Sequence, residues 1–67
     1  MIQVSINGEP RALHPGLSIT GLLAELALAG KRVAVECNGE IVPRSRHAET
    51  IVANGDQLEI VVAVGGG

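Results

Sequence analysis

Three Asn-Gly pairs, Asn7-Gly8, Asn38-Gly39 and Asn54-Gly55, constrain what this chain can fold into more than any other feature. Asn and Gly both tolerate positive φ, so such a pair between alternating apolar runs is the strongest short hairpin signal. Before the first pair, Ile2, Val4 and Ile6 alternate with Gln3 and Ser5, the period of a half-buried strand. The return strand spans roughly Glu9 to His14, with Leu13 turned inward. Pro10 places it at a sheet edge, where a missing N–H is tolerated. Val33, Val35 and Cys37 alternate in the same way before Asn38-Gly39, and Glu40-Ile41-Val42 returns until Pro43 ends it. After Asn54-Gly55-Asp56, residues Gln57 to Val64 predict a long final strand with Leu58, Ile60, Val62 and Val64 on one side.

Between the two hairpins the period changes. Pro15-Gly16 turns the chain out of the first hairpin, and Ser18 is a good N-cap. Ile19, Leu22, Leu23 and Leu26 then fall at i, i+3, i+4 and i+7, one apolar stripe of an amphipathic helix. Gly21 weakens its first turn, and Gly30 is placed to stop it, with Lys31 and Arg32 beyond at the negative end of the dipole. About ten helical residues would span about 15 Å, enough to cross one small sheet. Arg44 to Thr50 is polar and irregular, with room for one helical turn. Hairpin, helix, hairpin and strand form an α+β architecture: a mixed four- to five-stranded sheet with one helix packed on one face. The first and last strands are the most apolar, so they belong at the sheet centre.

A chain of 67 residues is near the lower limit for a single core, and chains this short often carry disulfides or a metal as staples. The single cysteine rules out an intrachain disulfide, and no Cys/His cluster has zinc spacing. The fold must rest on aliphatic packing. A net charge of -2, scattered basic residues and the absence of Phe, Tyr and Trp leave no stacking platform or basic stripe for nucleic acid. No apolar run is long enough to cross a membrane, and Met1-Ile2-Gln3-Val4 lacks the basic-then-apolar order of a leader. A soluble, cytoplasmic protein is expected.

Most residues with chemical potential have an adequate structural role. Cys37 continues a core-facing alternation, as buried free cysteines do. His14 and His47 are expected on the surface, without ligand partners. No phosphate-cradling glycine motif occurs, and no internal catalytic residue, metal site or cofactor is expected. The stretch ending Val64-Gly65-Gly66-Gly67 is different. Three glycines are a poor way to stabilise a fold, since Gly loses the most backbone entropy on ordering. The expected organisation is a domain over 1–64 carrying a flexible glycine tail over 65–67. Four extended residues reach about 13 Å, enough to enter a partner's deep site. An α-carboxyl with a pKa of about 3.5 is an anion at neutral pH. Such a carboxylate on Gly67 can attack the α-phosphate of ATP, giving an acyl-adenylate open to sulfur or amine nucleophiles. The partner would have to supply the ATP site. Val61 and Ala63 should face away from the helix, where with Val42 and Arg44 they could form a docking surface for that partner.

Several stretches together resemble the thiamine-biosynthesis sulfur carrier protein family, small β-grasp (ubiquitin-like) proteins ending in Gly-Gly. They are Val4-Ser5-Ile6-Asn7-Gly8-Glu9, the helix with Leu22-Leu23 and Leu26, and the run from Val33 through Asn38-Gly39-Glu40-Ile41-Val42-Pro43-Arg44. Gly55-Asp56 and the closing Leu58 to Gly67 complete them. The resemblance implies that an E1-like adenylating enzyme activates the carboxylate of Gly67 with ATP. Sulfur from a cysteine desulfurase or rhodanese-type donor would then give a thiocarboxylate, which thiazole synthase would use to build the thiazole ring. Gly66 and Gly67 occupy the family's Gly-Gly positions, and Gly65 adds a third glycine to the tail that enters the partner's site. The chain would be a carrier acted on by enzymes, not an enzyme. Other readings remain: the small subunit of molybdopterin synthase, a ubiquitin-like modifier of lysines, or a structural module using the sheet face. The short, aromatic-free chain counts against the first.

Overall fold

The computed structural model describes residues 1–63; Val64, expected in the last strand, and the glycine tail over 65–67 lie outside the described residues. The elements in order are β1 (Ile2–Ile6), β2 (Glu9–Leu13), α1 (Ile19–Glu25), β3 (Val33–Cys37), β4 (Glu40–Val42), a 3-10 turn (Arg44–Arg46) and β5 (Gln57–Val62). The strands form a single five-stranded sheet in the order β2-β1-β5-β3-β4. β1 and β5 run parallel beside each other, and every other pairing is antiparallel. The most apolar strands are therefore central, and Pro10 sits on an edge strand opposite Ser5.

One face of the sheet lies under α1. Val4, Val35, Leu58 and Ile60 from the strands meet Ile19, Leu22 and Leu23 from the helix, with Leu13 and Val52 closing the cluster. Ile19 and Leu22 have no exposed surface at all. Val52 comes from the irregular stretch before β5 and is held there by backbone pairing. Its N–H donates to the Leu17 carbonyl at 2.8 Å, and the N–H of Ile19 donates to Thr50 at 2.9 Å. The polar sequence around it hid this strand-like strap, which covers the entry to the helix.

The helix is shorter than its apolar stripe suggests: seven residues instead of about ten. Ser18 caps it as expected, its hydroxyl accepting from the N–H of Gly21 at 3.0 Å. The stop comes early, at Ala27, which takes φ 61. The N–H of Leu28 reaches the Leu23 carbonyl at 2.8 Å, and the N–H of Ala27 reaches Ala24 at 3.1 Å. This pair of bonds is a Schellman motif with alanine where glycine is usual. Leu28 turns back onto the core, and that burial holds Ala27 in a left-handed conformation. Gly30, expected to stop the helix, instead takes φ 80 in the following turn, closed by Lys31 N–H to Leu28 at 3.1 Å. At Gly21 a Cβ would lie 2.7 Å from the Leu17 Cδ1, the movable end of a side chain, so packing does not require the glycine there.

All three Asn-Gly pairs do more than turn the chain: Asn54 Oδ1 accepts from the Gln3 N–H at 2.8 Å, and the other two tie hairpin turns to β5. Asn7 adopts φ 52 and also holds Ile60 in the neighbouring strand. Its Oδ1 accepts from the Ile60 N–H at 2.8 Å, and its Nδ2 donates to the Ile60 carbonyl at 3.1 Å. The side-chain amide thus stands in for the backbone that β1 no longer supplies. Asn38 does the same at the other hairpin, accepting from Gln57 N–H at 2.9 Å and donating to Asp56 at 3.0 Å. Both hairpin turns are tied to β5.

Candidate functional site

Among the described residues no group of three His, Cys, Asp or Glu side chains could hold a metal ion. Cys37 is half-buried against the core. Burial first, then the negative charge of Asp56, pushes its thiol pKa up, which is the opposite of what a nucleophilic thiol requires. His14 is exposed, as expected. His47 is not on the surface: it is 5% exposed. Its Nε2 lies 3.0 Å from the Val42 carbonyl, and its own carbonyl accepts from the Thr20 N–H at 3.1 Å. The ring binds the edge strand β4, and the His47 main chain binds the start of the helix. A polar loop around a histidine carries no pattern that foretells burial, so the sequence pointed the wrong way.

The site of interest is the sheet face turned away from α1. The antiparallel register of β3 and β5 orders it in rows: Glu36 opposite Glu59, then Ala34 opposite Val61. Ile41 of β4 stands beside Glu36 in the first row. A third row lies past the strand ends, where the Ala63 N–H donates to the Arg32 carbonyl at 2.9 Å. Val61 is 63% exposed and Ile41 is 73% exposed. Arg32, Val33, Ala34, Arg44, Val61 and Ala63 line a shallow groove at the end of the face that leads to residue 64. Arg32 and Arg44 are both exposed. Among the described residues the one ion pair joins Arg46 to Glu49, so neither groove arginine is paired.

Three of the four residues expected to form a docking surface, Arg44, Val61 and Ala63, come together in this groove. Val42 does not join them. It pairs with Val35, a core residue, and residues directly opposite in a sheet share a face; Val42 therefore stands on the helix side. Arg32 and Ala34 were missed as site residues. They were within reach of the sequence, because they share parity on β3 and the strand's other parity carries Val33, Val35 and Cys37. Gly65, Gly66 and Gly67 lie outside the described residues.

Comparison with known proteins gives a consistent result. The model of the ThiS family matches residues 4–67. A thiazole synthase of Paramagnetospirillum magneticum is 46% identical over 66 residues, which cover 98% of this chain and 20% of that protein. The sulfur carrier protein ThiS of Escherichia coli is 30% identical over 66 residues, 98% of this chain and 100% of that one. Among solved structures, the crystal structure of the thiamine biosynthesis protein ThiS from Geobacter metallireducens superposes with a TM-score of 0.83 at 35% identity. That match covers 98% of this chain and 100% of the other. The five-stranded mixed sheet with one helix is thus the β-grasp fold. The chain spans only a fifth of the length of the thiazole synthase relatives it matches.

Proposed function

The chain belongs to the ThiS family, and from that membership we propose that it is a sulfur carrier for thiamine biosynthesis whose working group is the main-chain carboxylate of Gly67. The observation that carries this reading is a coincidence at one end of β5. A groove with apolar lining, flanked by Arg32 and Arg44, neither of them paired among the described residues, lies at the end of β5 that precedes Gly65, Gly66 and Gly67 in the chain. None of the described side chains offers a rival: the thiol is held protonated, and the buried histidine is occupied by a backbone carbonyl.

The chemistry follows from the group. A carboxylate is a poor acyl donor, because its leaving group would be an oxide. In the site of an E1-like adenylating enzyme, a Gly67 oxygen attacks the α-phosphate of ATP and pyrophosphate departs. The resulting mixed anhydride has AMP as its leaving group. The persulfide sulfur of a cysteine desulfurase or rhodanese-type donor attacks the acyl carbon and displaces AMP, leaving an acyl disulfide. A second thiol then attacks the donor's sulfur, forming a disulfide with it and releasing the acyl sulfur. The product is a thiocarboxylate, which thiazole synthase takes as its sulfur source. The domain over 1–64 serves as the handle, and the glycines over 65–67 pass through a channel too narrow for side chains. In this reading the protein is a co-substrate, and Arg44, Val61 and Ala63 help the adenylating enzyme to grip it.

The test is incubation with ATP, the adenylating enzyme and a sulfur donor, followed by intact mass measurement. The wild-type chain should gain one sulfur in place of one oxygen. Deletion of Gly66 and Gly67 together, which removes the Gly-Gly end, should abolish the change while leaving the domain folded. Conversion of that variant equal to the wild-type chain's would overturn the proposal. A high-mass adduct in place of the thiocarboxylate would assign the chain to the protein modifiers instead.

A further inference from the structure

Among the described residues His47 is the one buried polar side chain, and it lines a cleft of about 200 Å³ beside α1. Leu23 and Val33 give the cleft apolar walls, while Thr20, Lys31 and Arg44 give it polar ones. Pockets for drug-sized ligands run to about 300–1,000 Å³, so this one admits only a small molecule. Lys31 and Arg44 are exposed, and the one ion pair among the described residues, Arg46 with Glu49, includes neither. No carboxylate lines the cleft to offset their charge. Arg44 and Val33 also belong to the groove at the end of β5, but Thr20, Lys31 and His47 do not. The cleft is therefore a second place, nearer the helix, where positive charge meets apolar surface.

The histidine narrows the chemistry of an occupant. A carbonyl only accepts, so the 3.0 Å contact of Nε2 with the Val42 carbonyl places a proton on Nε2. In the neutral ring Nδ1 is then an acceptor, and among the described residues nothing donates to it. Nor is Nδ1 sealed inside the protein, because no fully buried side-chain nitrogen or oxygen there lacks a partner. The cleft thus calls for a ligand that is anionic toward Lys31 and Arg44 and carries a donor for Nδ1. An ionised carboxylate is acceptor-only and fails the second requirement. Phosphate meets both, since across the neutral range free phosphate keeps at least one proton on oxygen. We propose that the cleft binds a phosphate group, free or as a small monoester. Its charged oxygens accept from Lys31 and Arg44, the commonest kind of charge-assisted contact to phosphate. Its P–OH donates to Nδ1 of His47, and the hydroxyl of Thr20 lies in the same wall. On an ester, the organic part lies against Leu23 and Val33. This site is independent of the carrier reading, because it uses no residue of the glycine tail.

The experiment is an NMR titration of the full, nitrogen-labelled chain at pH 7 with inorganic phosphate and, separately, with sulfate, at constant ionic strength. Phosphate should give saturable shifts at the amides of Thr20, Lys31 and His47. Sulfate carries no proton and loses the bond to Nδ1, so it should bind about fivefold more weakly. The Nδ1 resonance of His47 should move on addition of phosphate and stay in place with sulfate. Lys31→Gln should weaken phosphate binding by about tenfold, the worth of one hydrogen bond to a charged group. Arg11→Gln removes the same charge on β2, away from the cleft, and should leave the affinity unchanged. Phenyl phosphate separates the two sources: tighter binding than inorganic phosphate assigns a monoester, and weaker binding assigns the free ion. Shifts that grow linearly without saturating would overturn the proposal. Equal losses in Lys31→Gln and Arg11→Gln would do the same, by showing attraction to net charge alone. Sulfate binding as tightly as phosphate, with an unmoved Nδ1 resonance, would remove His47 from the site and the choice of phosphate with it. Conversion of Gly67 enters none of these readouts, so failure here leaves the carrier reading standing.

Discussion

The two faces of this sheet are built from alternate residues of the same strands, yet they obey different rules. Val35, Leu58 and Ile60 point under the helix and are buried together with Ile19 and Leu22. One residue along each strand, Ala34, Glu36, Glu59 and Val61 point to the other side and stay exposed. The helix face follows from packing energetics alone: aliphatic side chains gathered into one contiguous cluster. The open face violates them, with exposed apolar residues and a like-charged cross-strand pair. Where a small domain tolerates features that do not stabilise it, those features are candidates for function. Partition of the residues by face therefore separates what holds the protein together from what it shows to a partner.

The sharpest way to break this partition is one truncation on each side. Leu22→Ala removes a side chain with no exposed surface and should cost about 2–5 kcal/mol. A domain of this size holds only about 3–5 kcal/mol in reserve, so the variant should be largely unfolded by circular dichroism. Val61→Asp, on the open side, should change stability by less than about 0.5 kcal/mol while slowing adenylation of the tail. If Val61→Asp unfolds the domain as Leu22→Ala does, the two faces are not distinct in the way described.

A smaller effect is expected at the helix stop, which belongs to neither face. Ala27 holds φ 61 in a Schellman motif, a conformation that costs an L-residue roughly 1 kcal/mol and costs glycine little. Ala27→Gly should therefore stabilise the domain by about 0.5–1 kcal/mol, read as a higher urea midpoint at unchanged slope. A loss of stability would mean that the flexibility gained in the unfolded chain outweighs the relief of strain.

The smallest effect is expected at Cys37, on the helix side of β3. Its thiol pKa is raised by burial and by Asp56, so the folded state favours the protonated form more than the unfolded chain does. Its contribution to stability is complete below the ordinary thiol pKa and is lost as pH rises through the raised one. Alkaline stability should thus show a shallow decline that Cys37→Ala removes. Alkylation of the native protein at neutral pH should be slow. Rapid labelling would contradict the protonated, half-buried thiol.

Much of this structure was legible in the residues. Period-two runs flanking Asn7-Gly8 and Asn38-Gly39 fix two hairpins, because only a narrow set of residues accepts positive φ at both turn positions. Ser18 and the stripe from Ile19 to Leu26 fix where the helix begins and which side it buries. The helix end was not legible. Gly30 is the better stop by local preference, but Leu28 gains more by turning back onto the core, and that contact forces Ala27 into the left-handed region. His47 and Val52 were hidden for a related reason. Each is buried by elements distant in sequence, His47 through the Val42 carbonyl and Val52 through the Leu17 carbonyl, and no local periodicity marks either. For the candidate site, the exposure of Val61 and Ala63 followed from strand parity, whereas the grouping with Val42 failed. Proximity to a strand end says nothing about the face, and the register with Val35 decides it.

By itself, then, the sequence determined the strands, the first turn of the helix and the aliphatic core, because all of these express local preference and short-range period. The tertiary structure alone decided the parallel pairing of β1 with β5, the early stop at Ala27, the burial of His47 and the placing of Glu36 opposite Glu59 on the open face. These depend on which residues the sheet register brings side by side, and register is a property of pairs far apart in the chain.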